Sequence, residues 1–240
     1  MANDNSPSTR FLHEAMREGR LLSATVFATV GVVDTPDECG WSPLMMAADR
    51  GDSPMVHVLL EAGACVHWTG PRGGDEVAAL HLAAIAGDPR CIQALIYYGA
   101  NVNSPTPVEH VTPLMAAAGG GGRVVPAISE LLKKDATVNA TSASGDTPLH
   151  IVARAVAADA TQAAATLLNT GKAELSMVNE WGDSPLDTAR RAACAAVPAG
   201  VSVTPLPPLP PPGSARGVVV TALVDTIALV ARRRRMYGGA

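Results

Sequence analysis

Two histidines, His81 and His150, occupy the fourth position of the segments A-A-L-H and T-P-L-H. An imidazole can ligate a metal or move a proton. A metal site needs further ligands converging at a recognisable spacing, and neither histidine has them. The four cysteines, Cys39, Cys65, Cys91 and Cys194, are scattered without a C-x-x-C pair. They supply neither a zinc site nor a disulfide framework, and a reducing, cytoplasmic setting is expected, with nucleus or cytoskeleton as alternatives. Gly119–Gly122 could wrap a phosphate, but no Lys-Ser/Thr follows them as a P-loop requires. There is no H-E-x-x-H, no G-x-S-x-G, no dinucleotide fingerprint and no kinase signature. The carboxylates fall in turns and at helix ends. No enzymatic activity, cofactor or metal is expected.

Chemistry this sparse directs attention to the elements. Leu60, Ile96, Leu132 and Leu168 stand 36 residues apart, and each follows another leucine: Leu59, Leu95, Leu131 and Leu167. Val56, Ile92, Ile128 and Ala164 precede the second of each pair by four residues. That i, i+3, i+4 spacing marks one face of a helix. Ahead of these stand S-P-L-M-M-A-A from Ser42, A-A-L-H-L-A-A from Ala78, T-P-L-M-A-A-A from Thr112, T-P-L-H-I-V-A from Thr147 and S-P-L-D-T-A from Ser184. A hydroxyl before Pro caps a helix, and Pro suits the first turn, where its missing N–H is not needed. Gly63, Gly99 and Gly171 suit the left-handed residue that ends the second helix. Each unit thus reads as helix, tight turn, helix and protruding hairpin.

Composition agrees. The 240 residues are 48% apolar but only 3% aromatic, so the core is built from Ala, Leu, Val and Ile. Small side chains suit close helix–helix contacts rather than a thick sheet sandwich. A net charge of −4 argues against a generally nucleic-acid-binding surface. The opening residues have neither an apolar run nor basic charge, so no signal or transit peptide is expected. The longest apolar run, Val218–Ala231, has 14 residues interrupted by Asp225, too few to span a bilayer.

The repeating residues resemble the ankyrin repeat, whose signature is T-P-L-H-x-A at a period of about 33. The endings G-A-C-V-H from Gly63, G-A-N-V-N from Gly99 and D-A-T-V-N from Asp135 match that family as well. The resemblance runs over residues 11–197, about six units with the first and last divergent. It implies an all-α solenoid of helix-turn-helix units with protruding hairpin loops. It also implies that His81 and His150 hydrogen-bond between neighbouring repeats. Asn103, Asn139 and Asn179 are expected to bond the backbone of their own turns.

Function should then lie in protein binding along a concave face and the finger tips. Asp49, Arg50, Ile85, Arg154 and Arg191 match groove positions on first helices, and Asp146 and Asp183 match positions on fingers. The spacing from Leu60 to Leu80 is three or so residues longer than usual, so the finger at His67–Val77 is long and carries Trp68 and Arg72. Trp41 lies beside Gly40, and Trp181 beside Gly182. A tryptophan on a finger is a candidate hot spot, or else packs on the next finger. Trp41 and Trp68 are the candidates chosen. The last finger, Val178 to Leu186, is short, with an extra stretch at Lys172–Met177.

The ends depart from the rhythm. Residues 1–10 read as a flexible tail. Residues 198–216 read as a Pro-rich, extended insertion inside the terminal repeat, with P-P-L-P at Pro207–Pro210 resembling a WW or SH3 ligand. Residues 217–240 read as a capping helix and a basic tail, with Val220, Leu223 and Val224 in helical spacing and Arg232, Arg233, Arg234 and Arg235 at the helix end. Without those four arginines the chain's −4 becomes −8. The first expectation is a non-catalytic adaptor or scaffold that binds a partner protein. The alternatives are a built-in subunit of a cytoskeletal, axonemal or proteasome-related assembly, and an RNA or membrane tether through the arginines.

Overall fold

The computed structural model describes Glu14 and residues 33–121, 123–155, 159–195 and 220–229. The expected N-terminal tail, the helices of the divergent first unit, the Pro-rich stretch with Pro207–Pro210, and Arg232–Arg235 lie outside the described residues.

The described units pair a first and a second helix: α1 (Pro43–Arg50) with α2 (Ser53–Glu61), α3 (Ala79–Ala86) with α4 (Pro89–Tyr97), α5 (Pro113–Gly119) with α6 (Val124–Lys133), and α7 (Pro148–Arg154) with α8 (Ala160–Asn169). A last first helix, α9 (Pro185–Ala195), follows, and residues 220–229 are also helical. The starts follow from the caps. The hydroxyls of Ser42 and Thr112 accept the N–H of Met45 and Met115, with Pro43 and Pro113 in the first turn. Asp52 and Asp88 do the same for second helices, accepting from Met55 and from Arg90 and Cys91.

First helices stack on first helices, α1 on α3, α3 on α5, α5 on α7 and α7 on α9. The second helices α2, α4, α6 and α8 stack likewise. The residues that make this stacking close are small. Ala47, Ala48, Ala83, Ala117, Ala118, Ala153 and Ala189 are buried between the rows. The repeated apolar positions divide by depth. Val56, Ile92, Ile128 and Ala164, with Leu59, Leu95, Leu131 and Leu167, are completely buried. The second member of each leucine pair lies nearer the edge, and Ile96 and Leu132 are only half-buried. In the helical residues 220–229, Leu223 and Ile227 are buried in this same core, while Val220 and Val224 are half-buried against it.

The long finger is a β-hairpin. β1 (Thr69–Arg72) runs antiparallel to β2 (Asp75–Ala78), with Arg72 opposite Asp75. Gly73 and Gly74 form its two-residue turn at φ of 63° and 91°, the sign that matches the twist of paired strands.

Second helices end on a left-handed residue. Gly63, Gly99 and Gly171 take φ of 89°, 99° and 70°, and Asp135 occupies the equivalent place at 60°. A side chain at Gly99 would meet nothing within 4 Å, so its cost is one of backbone conformation alone. Asp135→Gly should therefore raise stability by up to about 1 kcal/mol, and Gly99→Ala should lower it by about 1 kcal/mol. Urea unfolding followed by far-ultraviolet circular dichroism checks both signs.

Candidate functional site

The finger tips are built on one local device. A side-chain oxygen at the start of the tip accepts backbone N–H groups farther on. Asp37 accepts from Cys39 and Trp41, and Asn179 from Trp181 and Asp183. The hydroxyls of Thr106 and Ser142 accept from Val111 and Asp146. The backbone then closes the tip: Asp37 N–H donates to Trp41, Thr106 to Val111, Ser142 to Asp146 and Asn179 to Asp183.

Each finger is also tied to the next. The Asp75 carboxylate accepts the N–H of Val108 at 3.1 Å and of Glu109 at 2.9 Å. Ala143 N–H donates to the Glu109 carbonyl, and Glu180 N–H to that of Ser144. Burial pushes the Asp75 carboxyl upward, but the Thr106 hydroxyl and the N–H groups of Glu109, Glu76 and Val108 outweigh it and hold the pKa at about 2. The histidines add a second seam, as their place in the repeat implied. His81 Nδ1 accepts the Ala78 N–H, which leaves Nε2 to donate to the carbonyls of Ser104 and Val111, each at 3.0 Å. His150 Nδ1 accepts from the Thr147 N–H, and Nε2 donates to Asp183 O at 3.0 Å.

A third seam departs from expectation. Asn103 and Asn139 do not bond their own turns. Asn103 accepts from Thr137 N–H and donates to Asp135 O, while Asn139 accepts from Glu174 N–H and donates to Lys172 O. Asp34 accepts from Cys65 N–H in the same way. Only Asn179 bonds its own turn. Spacing within one repeat cannot reveal a partner supplied by the next.

The candidate binding residues divide by how much of each is left to solvent. Trp41 and Trp68 are half-buried against neighbouring fingers. The Trp41 indole N–H donates to Pro71 O at 2.8 Å, and that of Trp68 to Gly40 O at 3.4 Å. Arg72 lies over the Trp41 ring, 5.8 Å from its centre, and pairs with Asp49. These four side chains therefore clasp the first two fingers together. Arg50 is exposed at the end of α1, and Ile85 is half-buried on α3. In the last two units the finger residue and the groove residue eight positions later are ion-paired: Arg154 to Asp146 at 2.7 Å and Arg191 to Asp183 at 2.8 Å. Asp146 is buried and also accepts from Asn179, so it is not open to a partner as expected. The exposed members are Arg154 and Arg191.

Beside these pairs the last finger and α9 enclose a cleft of about 310 Å³. Trp181 stands 53% exposed at its edge. Thr188 in its wall is buried, and its hydroxyl has no hydrogen-bond partner among the described residues. Sequence reasoning did not select either residue. The signal at hand for Trp181 was its position on the short finger at Val178 to Leu186, after which no further finger follows among the described residues.

A family model for ankyrin repeats matches this chain at residues 12–106 and again at 80–177. The chain belongs to the ankyrin repeat family. Ankyrin repeats mediate protein–protein interaction. Similar proteins include the nuclear factor NF-kappa-B p105 subunit of Gallus gallus, 32% identical over 50% of this chain and 12% of that protein. The E3 ubiquitin-protein ligase KEG of Arabidopsis thaliana is 35% identical over 55% of this chain and 8% of its own length. Ankyrin repeat and SOCS box protein 6 of Homo sapiens is 30% identical over 59% and 33%. The chain thus spans a third or less of these relatives. A chain in the solved structure of the predatory endopeptidase Bd0816 from Bdellovibrio bacteriovorus, in complex with immunity protein Bd3460, matches with a TM-score of 0.63 and 27% identity. That match covers 78% of this chain and 93% of the other.

The ankyrin seams make a pH prediction. Burial lowers the pKa of both His81 and His150 below the ordinary 6.5, against the upward pull of the carbonyls they meet. Below about pH 6.5 the unfolded chain binds protons at these sites that the folded chain does not. Stability is therefore full above that pH and falls as pH drops toward the lowered folded values. The urea midpoint should decrease between pH 7 and pH 5.5. The double variant His81→Gln, His150→Gln should start lower at pH 7 and decrease less.

Proposed function

We infer that the protein is a non-catalytic adaptor that holds a partner protein along the row of first helices and finger tips. One observation carries this reading above the rest. The fingers are bonded to one another through backbone and side-chain seams and the first helices are stacked in a row, so the groups that both display keep fixed spacing without a partner present. A rigid display lowers the ordering cost of association. The groups displayed outward, Arg50, Arg154, Arg191 and Trp181, are of the arginine and tryptophan types that dominate binding energy at interfaces. The resemblance to a chain from a solved protein–protein complex supports the same reading.

The non-catalytic part rests on where the reactive groups are engaged. Both nitrogens of His81 and of His150 are held in hydrogen bonds that join repeats. Cys91 is buried, and burial, first, with Asp88 and Asp52 nearby, pushes its thiol up to about 12. We further assign the protein to a reducing, intracellular compartment, an assignment supported by the free thiols of Cys39, Cys65, Cys91 and Cys194.

Affinity capture with the tagged chain tests the adaptor reading. The triple variant Arg50→Glu, Ile85→Glu, Arg191→Glu should recover at least about ten-fold less of the captured partner. A control at the ends of second helices, Tyr97→Ala in α4 with Lys134→Glu just after α6, should recover as much as the unaltered chain. Equal recovery by the triple variant would exclude this face.

A further inference from the structure

The second helices carry a groove of their own, between α2 and α4, with a volume of about 620 Å³. Its buried lining residues are Ser53 and Ala94, and His57, Arg90, Tyr97 and Lys134 stand exposed around them. The chain has 22 acidic residues against 18 basic ones, yet none of the described residues lining this groove is acidic. The carboxylates that begin the two helices, Asp52 and Asp88, are turned to backbone N–H groups of their own first turns.

The cations here differ from those on the first helices and fingers. Arg72, Arg154 and Arg191 are each held by a carboxylate, and so is Lys133 one residue before Lys134. Arg90 and Lys134 have no such partner among the described residues and keep their donors free. Between them stands Tyr97, 86% exposed in a chain that is only 3% aromatic, so its ring adds little to the core. Tyr98 braces it edge-on, with ring centres 5.4 Å apart. Tyrosine and arginine are enriched at protein interfaces.

We propose that this groove docks an acidic, extended segment of a second protein, with carboxylates on Arg90 and Lys134 and an apolar side chain between them, on Ala94 and the ring of Tyr97. The inference goes beyond the adaptor reading, because this ligand is separate from the partner on the first helices. Arg90 lies in the first turn of α4, whereas Tyr97 ends α4 and Lys134 follows the end of α6, stacked beside it. Seven residues of helix rise about 10 Å. An extended segment covers that in about three to four residues, and its alternate side chains share a face. Carboxylates at positions i and i+4 with an apolar residue at i+2 therefore match. The surroundings select a narrow ligand over a bilayer or a nucleic acid. Glu61 at the end of α2 and Asp135 next to Lys134 are exposed outside the groove, where a broad anionic surface would meet them.

The test uses the full chain and the labelled peptide Ser-Glu-Ser-Leu-Ser-Glu-Ser, read by fluorescence polarisation. The peptide should bind at least about ten-fold more tightly than its counterpart with Gln for both Glu residues. Its affinity should fall as salt is raised, and replacing its Leu by Ser should weaken it. Arg90→Ala, Lys134→Ala and Tyr97→Ala should each weaken binding and leave the melting temperature unchanged, since all three side chains are exposed. A charge exchange is decisive. Arg90→Glu with Lys134→Glu should lose the Glu peptide and bind the peptide that carries Lys in place of both Glu residues. Equal binding of the Glu and Gln peptides, or no binding of the Lys peptide by the exchanged chain, overturns the proposal. Phosphatidylserine vesicles or a single-stranded RNA binding in place of the peptide, and lost in the same variants, overturn it as well. The adaptor reading fails separately. Peptide binding with no partner captured on the first helices removes that reading alone, and capture without peptide binding removes this one alone.

Discussion

Helices of seven to eleven residues do not hold in water by themselves, because the cost of nucleating a helix is recovered only over a longer run or by burial. Every helix of this chain within the described repeats is that short. Each is helical because the next unit covers its apolar flank. α3 is buried by α1 on one side and α5 on the other, and α4 by α2 and α6. The dependence on neighbours explains the composition. Two helices approach this closely only over alanine, and the wholly buried leucines fill the line where first and second helices meet. It also explains why, among the described residues, nearly all buried apolar side chains fall in one cluster from Val33 to Ile227, with Ala192 and Ala193 apart from it, rather than in one cluster for each repeat.

The same reliance on neighbours governs the polar groups. A finger protruding from a helical stack exposes backbone donors and acceptors that no helix can satisfy. The chain satisfies them within the tip, through Asp37, Thr106, Ser142 and Asn179, and between tips, through Asp75, His81, Asn103, Asn139 and His150. Where the next finger is present, a tryptophan packs on it, as Trp41 does against β1. Among the described residues Trp181 has no such cover, and it is 53% exposed. Beside α9 an exposed aromatic face and outward guanidinium groups therefore lie together.

Binding by such a surface depends on side chains left over after the seams are made. Many of the charges in the groove are not left over. Asp49 is taken by Arg72 and Asp146 by Arg154, so part of the apparent charge pattern is internal structure. The exposed charges are mixed in sign, with Arg50, Arg154 and Arg191 on first helices and Glu38, Glu76, Glu109 and Glu180 on the fingers.

The repeat was fully legible in the linear order of residues. The 36-residue interval of leucine pairs, the hydroxyl-Pro starts and the glycine ends each have a local cause, so helix positions, their buried faces and the family followed without coordinates. The length of the second finger followed too, since spacing alone counts its residues. The site was legible only in outline. Candidate groove positions could be read from the repeat, but which of their groups stay available could not, because a side chain's partner often comes from a segment some thirty residues away. Asn103 and Asn139 cross to the next repeat, Trp41 and Trp68 close on neighbouring fingers, and Asp146 disappears beneath Arg154. Local sequence determines the unit because its forces act within a turn or two of chain. Only the stacked structure decides exposure, because exposure is set by what the adjacent unit happens to cover.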